Sequence, residues 1–143
     1  MPQQPAGAPS PFDEMMGTRV TVAEPDRTVV TLPVTSRLHQ PGGIVHGGVY
    51  CALVELAGSV GANAWLGDGR VAVGVSNQTD FLRPVRDGTL RAEGAPLQRG
   101  RTQQLWEVRV TDERERLIAH GRLRVANVDI ADERRADGER PPA

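Results

Sequence analysis

The chain has 143 residues, 38% of them apolar and 24% charged, which suits a single globular core and excludes a low-hydrophobicity disordered polymer. Seventeen basic residues stand against eighteen acidic ones, a formal charge of -1, so nothing draws the chain generally to nucleic acid. All seventeen are Arg, which removes Schiff-base catalysis on a lysine, and the lone Cys51 removes an internal disulfide or a cysteine-cluster metal site.

The opening MPQQPAGAPSPF lacks a basic stretch followed by an apolar run, so no secretory signal is read and the expected location is cytoplasmic. Residues 1–11 are rich in Pro, Gln and Ala and read as a mobile tail; residues 129–143 read as a charged tail. One domain is expected over 12–128. Residues 18–24 and 27–34 are β-branched runs parted by Pro25-Asp26, the pattern of a hairpin. Residues 36–48 hold Pro41, Gly42, Gly43, Gly47 and Gly48, which suits a loop with close backbone approach. Residues 48–66 read as a buried helix rather than a membrane span, because Glu55, Asn63 and several Gly interrupt them and the rest of the chain is strand-like.

After Gly67-Asp68-Gly69, strands are expected at 70–82, 88–97, 102–111 and 116–128. In the last, Leu117, Ala119, Gly121, Leu123 and Val125 face one way while Ile118, His120, Arg122 and Arg124 face the other. Two strands, one helix and four strands imply an α+β fold, a largely antiparallel sheet packed on one helix.

Between Gly48 and Leu66 the only formally charged residue is Glu55. A helix apolar nearly all round is buried, and a carboxylate on it is costly unless paired, coordinated or protonated. Its neighbours three and four positions away are Cys51, Ala52, Gly58 and Ser59, none basic and all small, so they leave room for a ligand. Val49, Leu53, Leu56, Val60 and Ala64 then form the expected packing stripe. A sheet arginine or a neighbouring chain could also neutralise Glu55. His46-Gly47-Gly48 lies where the helix begins, and its backbone N–H groups at the positive end of the dipole can bind a developing oxyanion. Gly47 and Glu55 are eight residues apart, about 12 Å along a helix. They cannot both touch one carbonyl from a single chain, so a catalytic reading demands an oligomer.

The run V-H-G-G-V-Y-C-A-L-V-E-L-A from Val45 to Ala57, with N-Q-T-D-F-L-R-P from Asn77 to Pro84 and R-G-R-T from Arg99 to Thr102, resembles the hotdog-fold acyl-CoA thioesterases. The branch it resembles is that of the 4-hydroxybenzoyl-CoA and phenylacetic-acid-pathway enzymes. That resemblance implies a long central helix wrapped by an antiparallel sheet and a homodimer or homotetramer with shared active sites. It implies that the Gly47 N–H polarises the thioester carbonyl and that Glu55 is nucleophile or general base. Gln40 then sits near the carbonyl or the attacking water, Ser59 helps place water, and His46 shapes the loop. Asn77 and Thr79 are expected to line the substrate channel.

Arginines suit coenzyme A phosphates, with Arg99 and Arg101 beside Thr102 as first candidates and Arg83 and Arg86 as second. Trp65, Trp106 and Phe81 are expected in the core. No cofactor is implied, coenzyme A being part of the substrate, and His39, His46, His120 and Cys51 lack the spacing of a zinc motif. The expected activity is hydrolysis of an aromatic or medium-chain acyl-CoA, with no nucleic-acid or membrane partner. The alternatives are a hydratase or dehydratase using a His such as His39 with an acid, and a non-catalytic acyl-CoA-binding module.

Overall fold

The computed structural model describes residues 8–131. In chain order it has α1 (Pro11–Met16), β1 (Arg19–Glu24), β2 (Arg27–Pro33), a 3-10 turn (Ser36–Leu38), α2 (Gly47–Leu66), β3 (Arg70–Phe81), β4 (Thr89–Arg99), β5 (Gln103–Thr111) and β6 (Leu117–Asp129). The six strands form one sheet in the order β1-β2-β4-β5-β6-β3, every neighbouring pair antiparallel. All six pack on α2.

The expected hairpin, helix and four strands are present with ends shifted by a few residues at most. One element was not expected. Ser10 caps α1 through a reciprocal capping box with Asp13, Pro11 occupies its first turn, and Gly17 closes it at φ 89°, a left-handed value that suits glycine. The tail boundary expected near residue 11 therefore falls inside a helix. At the other end β6 runs through Asp129, so the charged tail begins later than expected; residues 1–7 and 132–143 lie outside the described residues.

The packing stripe of α2 also differs. Its buried residues are Val49, Tyr50, Leu53, Val54, Ala57, Gly58, Gly61 and Ala62, whereas Leu56 and Val60 are only partly covered and Ala64 is exposed. The sheet supplies the bulk here and the helix supplies the hollow. A Cβ at Gly61 would stand 2.3 Å from the Trp106 ring, and one at Gly58 would stand 2.7 Å from Leu123. Trp106 is fully buried, as expected for core, but Trp65 and Phe81 are exposed at 38% and 55%. Trp65 is at the far end of α2, where the Arg99 guanidinium lies 5.3 Å from its ring centroid.

Side chains also pin the helix to the sheet. The buried Thr28 hydroxyl donates to the Ala57 carbonyl at 2.9 Å, Gln104 Nε2 donates to the Ala62 carbonyl at 3.3 Å, and Trp106 Nε1 donates to Gln104 Oε1 at 2.9 Å. Asn63 Oδ1 accepts from the Ala72 N–H on β3 at 2.9 Å. Such bonds contribute about 1 kcal/mol each and fix the rotation of α2 about its axis.

Candidate active site

That rotation leaves one face of α2 uncovered by the sheet. Along it run Gly48, Cys51, Ala52, Glu55, Leu56 and Ser59, the floor of a cavity of about 560 Å³ whose other wall is Ser10, Phe12 and Asp13 of α1. Glu55 is therefore exposed in the single chain, not buried as the apolar helix suggested. No cation or hydrogen-bond donor among the described residues meets its carboxylate. Oε1 faces Gly74 on the edge strand β3, where an added Cβ would lie 3.9 Å away, just before an irregularity in the β3–β6 pairing between Gly74 and Ser76. Ser59, one turn beyond Glu55, shares the cavity, and its carbonyl accepts from Asn63 Nδ2 at 2.9 Å.

The helix mouth is organised by His46. It is the N-cap of α2: Nδ1 accepts from the Gly48 N–H at 2.9 Å, and its carbonyl accepts from the Val49 N–H at 2.9 Å. The Gly47 N–H is left in this first turn without a partner among the described residues. Gly47 lines a second groove, of about 440 Å³, with Gln40, Tyr50, Phe81 and Arg83 among its other walls. The Phe81 ring lies directly over Gly47: a Cβ there would stand 2.3 Å from Cε2, which is why the position is glycine. Tyr50 packs on the same ring at 5.7 Å between centroids; burial pushes its phenol up to about 12, and its hydroxyl has no partner among the described residues. Gln40 Oε1 accepts from the Gly42 N–H, which points the side chain along the loop beside this groove.

Glu55 and Ser59 thus share one cavity while Gly47 and Gln40 share another, as the eight-residue spacing requires. Asn77 and Thr79 are committed elsewhere. Asn77 Nδ2 donates to the Cys51 carbonyl at 2.9 Å, and the Thr79 hydroxyl donates to Asn77 Oδ1 at 2.7 Å, so the pair clamps β3 to α2 one turn before Glu55. Arg99 is committed too. Its guanidinium binds Asp26 and the Pro25 carbonyl, both at 2.8 Å, at the β1–β2 turn. Arg101 and Thr102 lie in the β4–β5 turn, near the C-terminal end of α2, where their carbonyls accept from Asn127. Arg83 lines the Gly47 groove, and Arg86 binds the Gly42 and Gly43 carbonyls. His39 bonds through Nε2 to the Arg86 carbonyl at 2.7 Å, away from Glu55. Among the described residues no three His, Cys, Asp or Glu side chains are grouped as metal ligands.

Residues 42–119 match the Thioesterase superfamily, a span that includes Gly47 and Glu55. The chain belongs to the thioesterase superfamily. Thioester hydrolysis is its activity class by that membership. The Mycobacterium tuberculosis protein Rv1847/MT1895, which carries a provisional esterase name, is 43% identical over 128 residues, 87% of this chain and 91% of that one. Its structure superposes with a TM-score of 0.82 at 41% identity, covering 92% of this chain and all of that one. A 1,4-dihydroxy-2-naphthoyl-CoA hydrolase of Listeria monocytogenes is 33% identical over 115 residues, 80% of this chain and 94% of that one. The thioesterase SAV0944 of Staphylococcus aureus superposes with a TM-score of 0.79 at 28% identity, covering 83% of this chain and 99% of that one. Its solved forms include alanine replacements of a glutamine and of a glutamate fifteen positions later. The hotdog arrangement expected of the thioesterase superfamily is the one described above.

The wall formed by α1, with Phe12 and Asp13, was not expected, although Ser10-Pro11 followed by Asp13 is a legible helix start. Tyr50 and Phe81 are likewise unexpected groove walls, for which the sequence holds no local signal.

Proposed function

We propose that the chain hydrolyses aromatic or medium-chain acyl-CoA thioesters at sites shared between two subunits. The observation that carries this is the separation just described: an acid without a cation in one cavity, and a free helix-start N–H in another. Two copies joined about a dyad would bring the halves together. The edge strand β3 supports that assembly, because its unpaired side runs 12 residues and it exposes Val73 and Val75, the latter at 54%. The assembly is a homodimer, or a homotetramer of two such dimers.

In this reading the thioester carbonyl oxygen accepts from the N–H of Gly47 of the partner subunit. The Glu55 carboxylate attacks the carbonyl carbon and expels coenzyme A thiolate, leaving a mixed anhydride that water hydrolyses. Alternatively Glu55 takes a proton from water as that water attacks. Both routes put negative charge on the oxygen that Gly47 holds, and a donor of this kind is worth about 10²–10³ in rate. Thiolate leaves readily, so the step needs no metal. Gln40 is fifteen residues before Glu55, the spacing of the pair replaced in the S. aureus thioesterase, which supports a joint role at the carbonyl or the water. Ser59 hydrogen-bonds that water, His46 holds the Gly48 end of the loop, and the Asn77–Thr79 clamp sets the height of the Glu55 turn. Arg83 and Arg101 are the arginines left to meet coenzyme A phosphates, since Arg99 anchors the hairpin.

The test is release of free thiol from a panel of acyl-CoA thioesters by wild type and Glu55→Ala, with light scattering on the active species. Thiol release that disappears in the variant is the expected result. Crotonyl-CoA hydration without thiol release would favour the hydratase, tight binding without turnover would favour the binding module, and an active monomer would sink the shared site.

A further inference from the structure

The six-residue helix α1 forms a wall of the cavity that holds Glu55, and its build is that of a fixed part. Ser10 and Asp13 lock its start, the Asp13 N–H donating to Ser10 Oγ at 3.2 Å and the Ser10 N–H to Asp13 Oδ2 at 3.1 Å. Met16 anchors its last turn in the core. The anchoring turns the larger apolar side chains outward: Phe12 is 54% exposed and is the one aromatic among the described residues that line the cavity. Across from it, the floor around Glu55 is Cys51, Ala52, Leu56 and Ser59, small side chains but for Leu56.

We infer that α1 is the acyl-discriminating wall of the active site, with Phe12 stacking on the acyl group beside Glu55 and Asp13 rejecting acyl groups that carry a carboxylate. The inference rests on the thioesterase reading and names the residues that choose the acyl group. A cavity of about 560 Å³ is in the range that holds a small ligand. A flat ring against Phe12 gains offset or edge-to-face contact that a thin aliphatic chain does not. Asp13 and Glu55 place two acids on one cavity, so a third carboxylate on the acyl group meets like charge from two sides, a repulsive element of specificity. The site therefore favours aromatic, uncharged acyl groups.

The experiment compares kcat/KM for benzoyl-, hexanoyl-, acetyl- and succinyl-CoA in wild type, Phe12→Ala, Phe12→Leu and Asp13→Asn. Phe12→Ala is expected to lower the benzoyl-to-acetyl ratio about 10- to 100-fold, the worth of one pocket contact, mostly through KM. Phe12→Leu recovers hexanoyl-CoA better than benzoyl-CoA. Asp13→Asn, which keeps an acceptor oxygen for the Ser10 cap, raises succinyl-CoA severalfold relative to acetyl-CoA. Melting curves check that α1 stays docked; if Phe12→Ala loosens it, Phe12→Leu decides by the same ratio. An active wild type whose ratio is unchanged in both Phe12 variants overturns the inference alone, as does an equal loss on benzoyl- and acetyl-CoA. A wild type that releases no thiol from any of the four overturns the thioesterase reading and this inference with it.

Discussion

Glu93 and Glu55 are both carboxylates on regular elements, and the molecule treats them in opposite ways. On β4, Glu93 lies between two arginines, Arg27 at 2.8 Å and Arg91 at 2.5 Å, and these hold its carboxyl below the usual glutamate range, the hydrogen bond from Arg27 most of all. On α2, Glu55 faces no cation among the described residues and opens on a cavity floored by small side chains. The acid on the sheet is neutralised by its neighbours; the acid in the helix groove is not. Both acids line concavities, so what separates them is the missing counter-charge, the condition that the proposed function asks of a reacting carboxylate.

The sharpest way to break this comparison is to remove each acid in turn. Glu55→Gln should reduce thioester turnover about a hundredfold or more with a near-unchanged melting temperature, since no folded-state partner is lost. Turnover within a fewfold of wild type would take Glu55 out of the mechanism.

Next in size is Val75→Asp on the β3 edge, which sets charge against charge where two copies would meet. Light scattering should then report monomers, and activity should fall with the dimer. A fully active monomeric variant would refute the shared site.

A smaller loss is expected at the other half of the site. Gly47→Ala drives a methyl into the Phe81 ring, so the amide shifts and turnover falls about tenfold or more. Adding Phe81→Ala makes room and should return part of the rate, which kinetics on the double variant would reveal; no recovery would mean that the Phe81 contact is not the reason for glycine.

The least effect belongs to Glu93→Gln, with turnover unchanged and a melting temperature lower by a few degrees at most, because the ion pairs are solvent-exposed. The lowered Glu93 carboxyl stabilises the fold above its ordinary value of 4.5 and stops doing so as pH falls through its folded-state value. Melting curves of wild type and Glu93→Gln should therefore differ at neutral pH and converge in acid.

Much of this was legible in the chain. Period-two alternation placed β6, and glycine-bearing stops placed the end of α2, because both depend on neighbours within a few residues. Glu55 stood out because charge on an apolar helix is rare enough to be read without coordinates. The face of α2 turned to the sheet was not legible. Its stripe was read from its larger side chains, yet Gly58 and Gly61 face the core because Leu123 and Trp106 fill the space from strands 40 and more residues away in sequence. Nor could the arginines be sorted: Arg99 is held by Asp26 and Arg86 by the Gly42 and Gly43 carbonyls, partners that adjoin them only after folding.

The sequence by itself determined the kind of fold, the isolated acid, the glycine mouth and the distance that keeps them apart, since each follows from local periodicity and helix rise. Tertiary structure decided which helix face stays open, that α1 walls it, and which cations are already bound. Those outcomes depend on volumes and charges contributed by distant strands, and no stretch of chain contains both sides of such a contact.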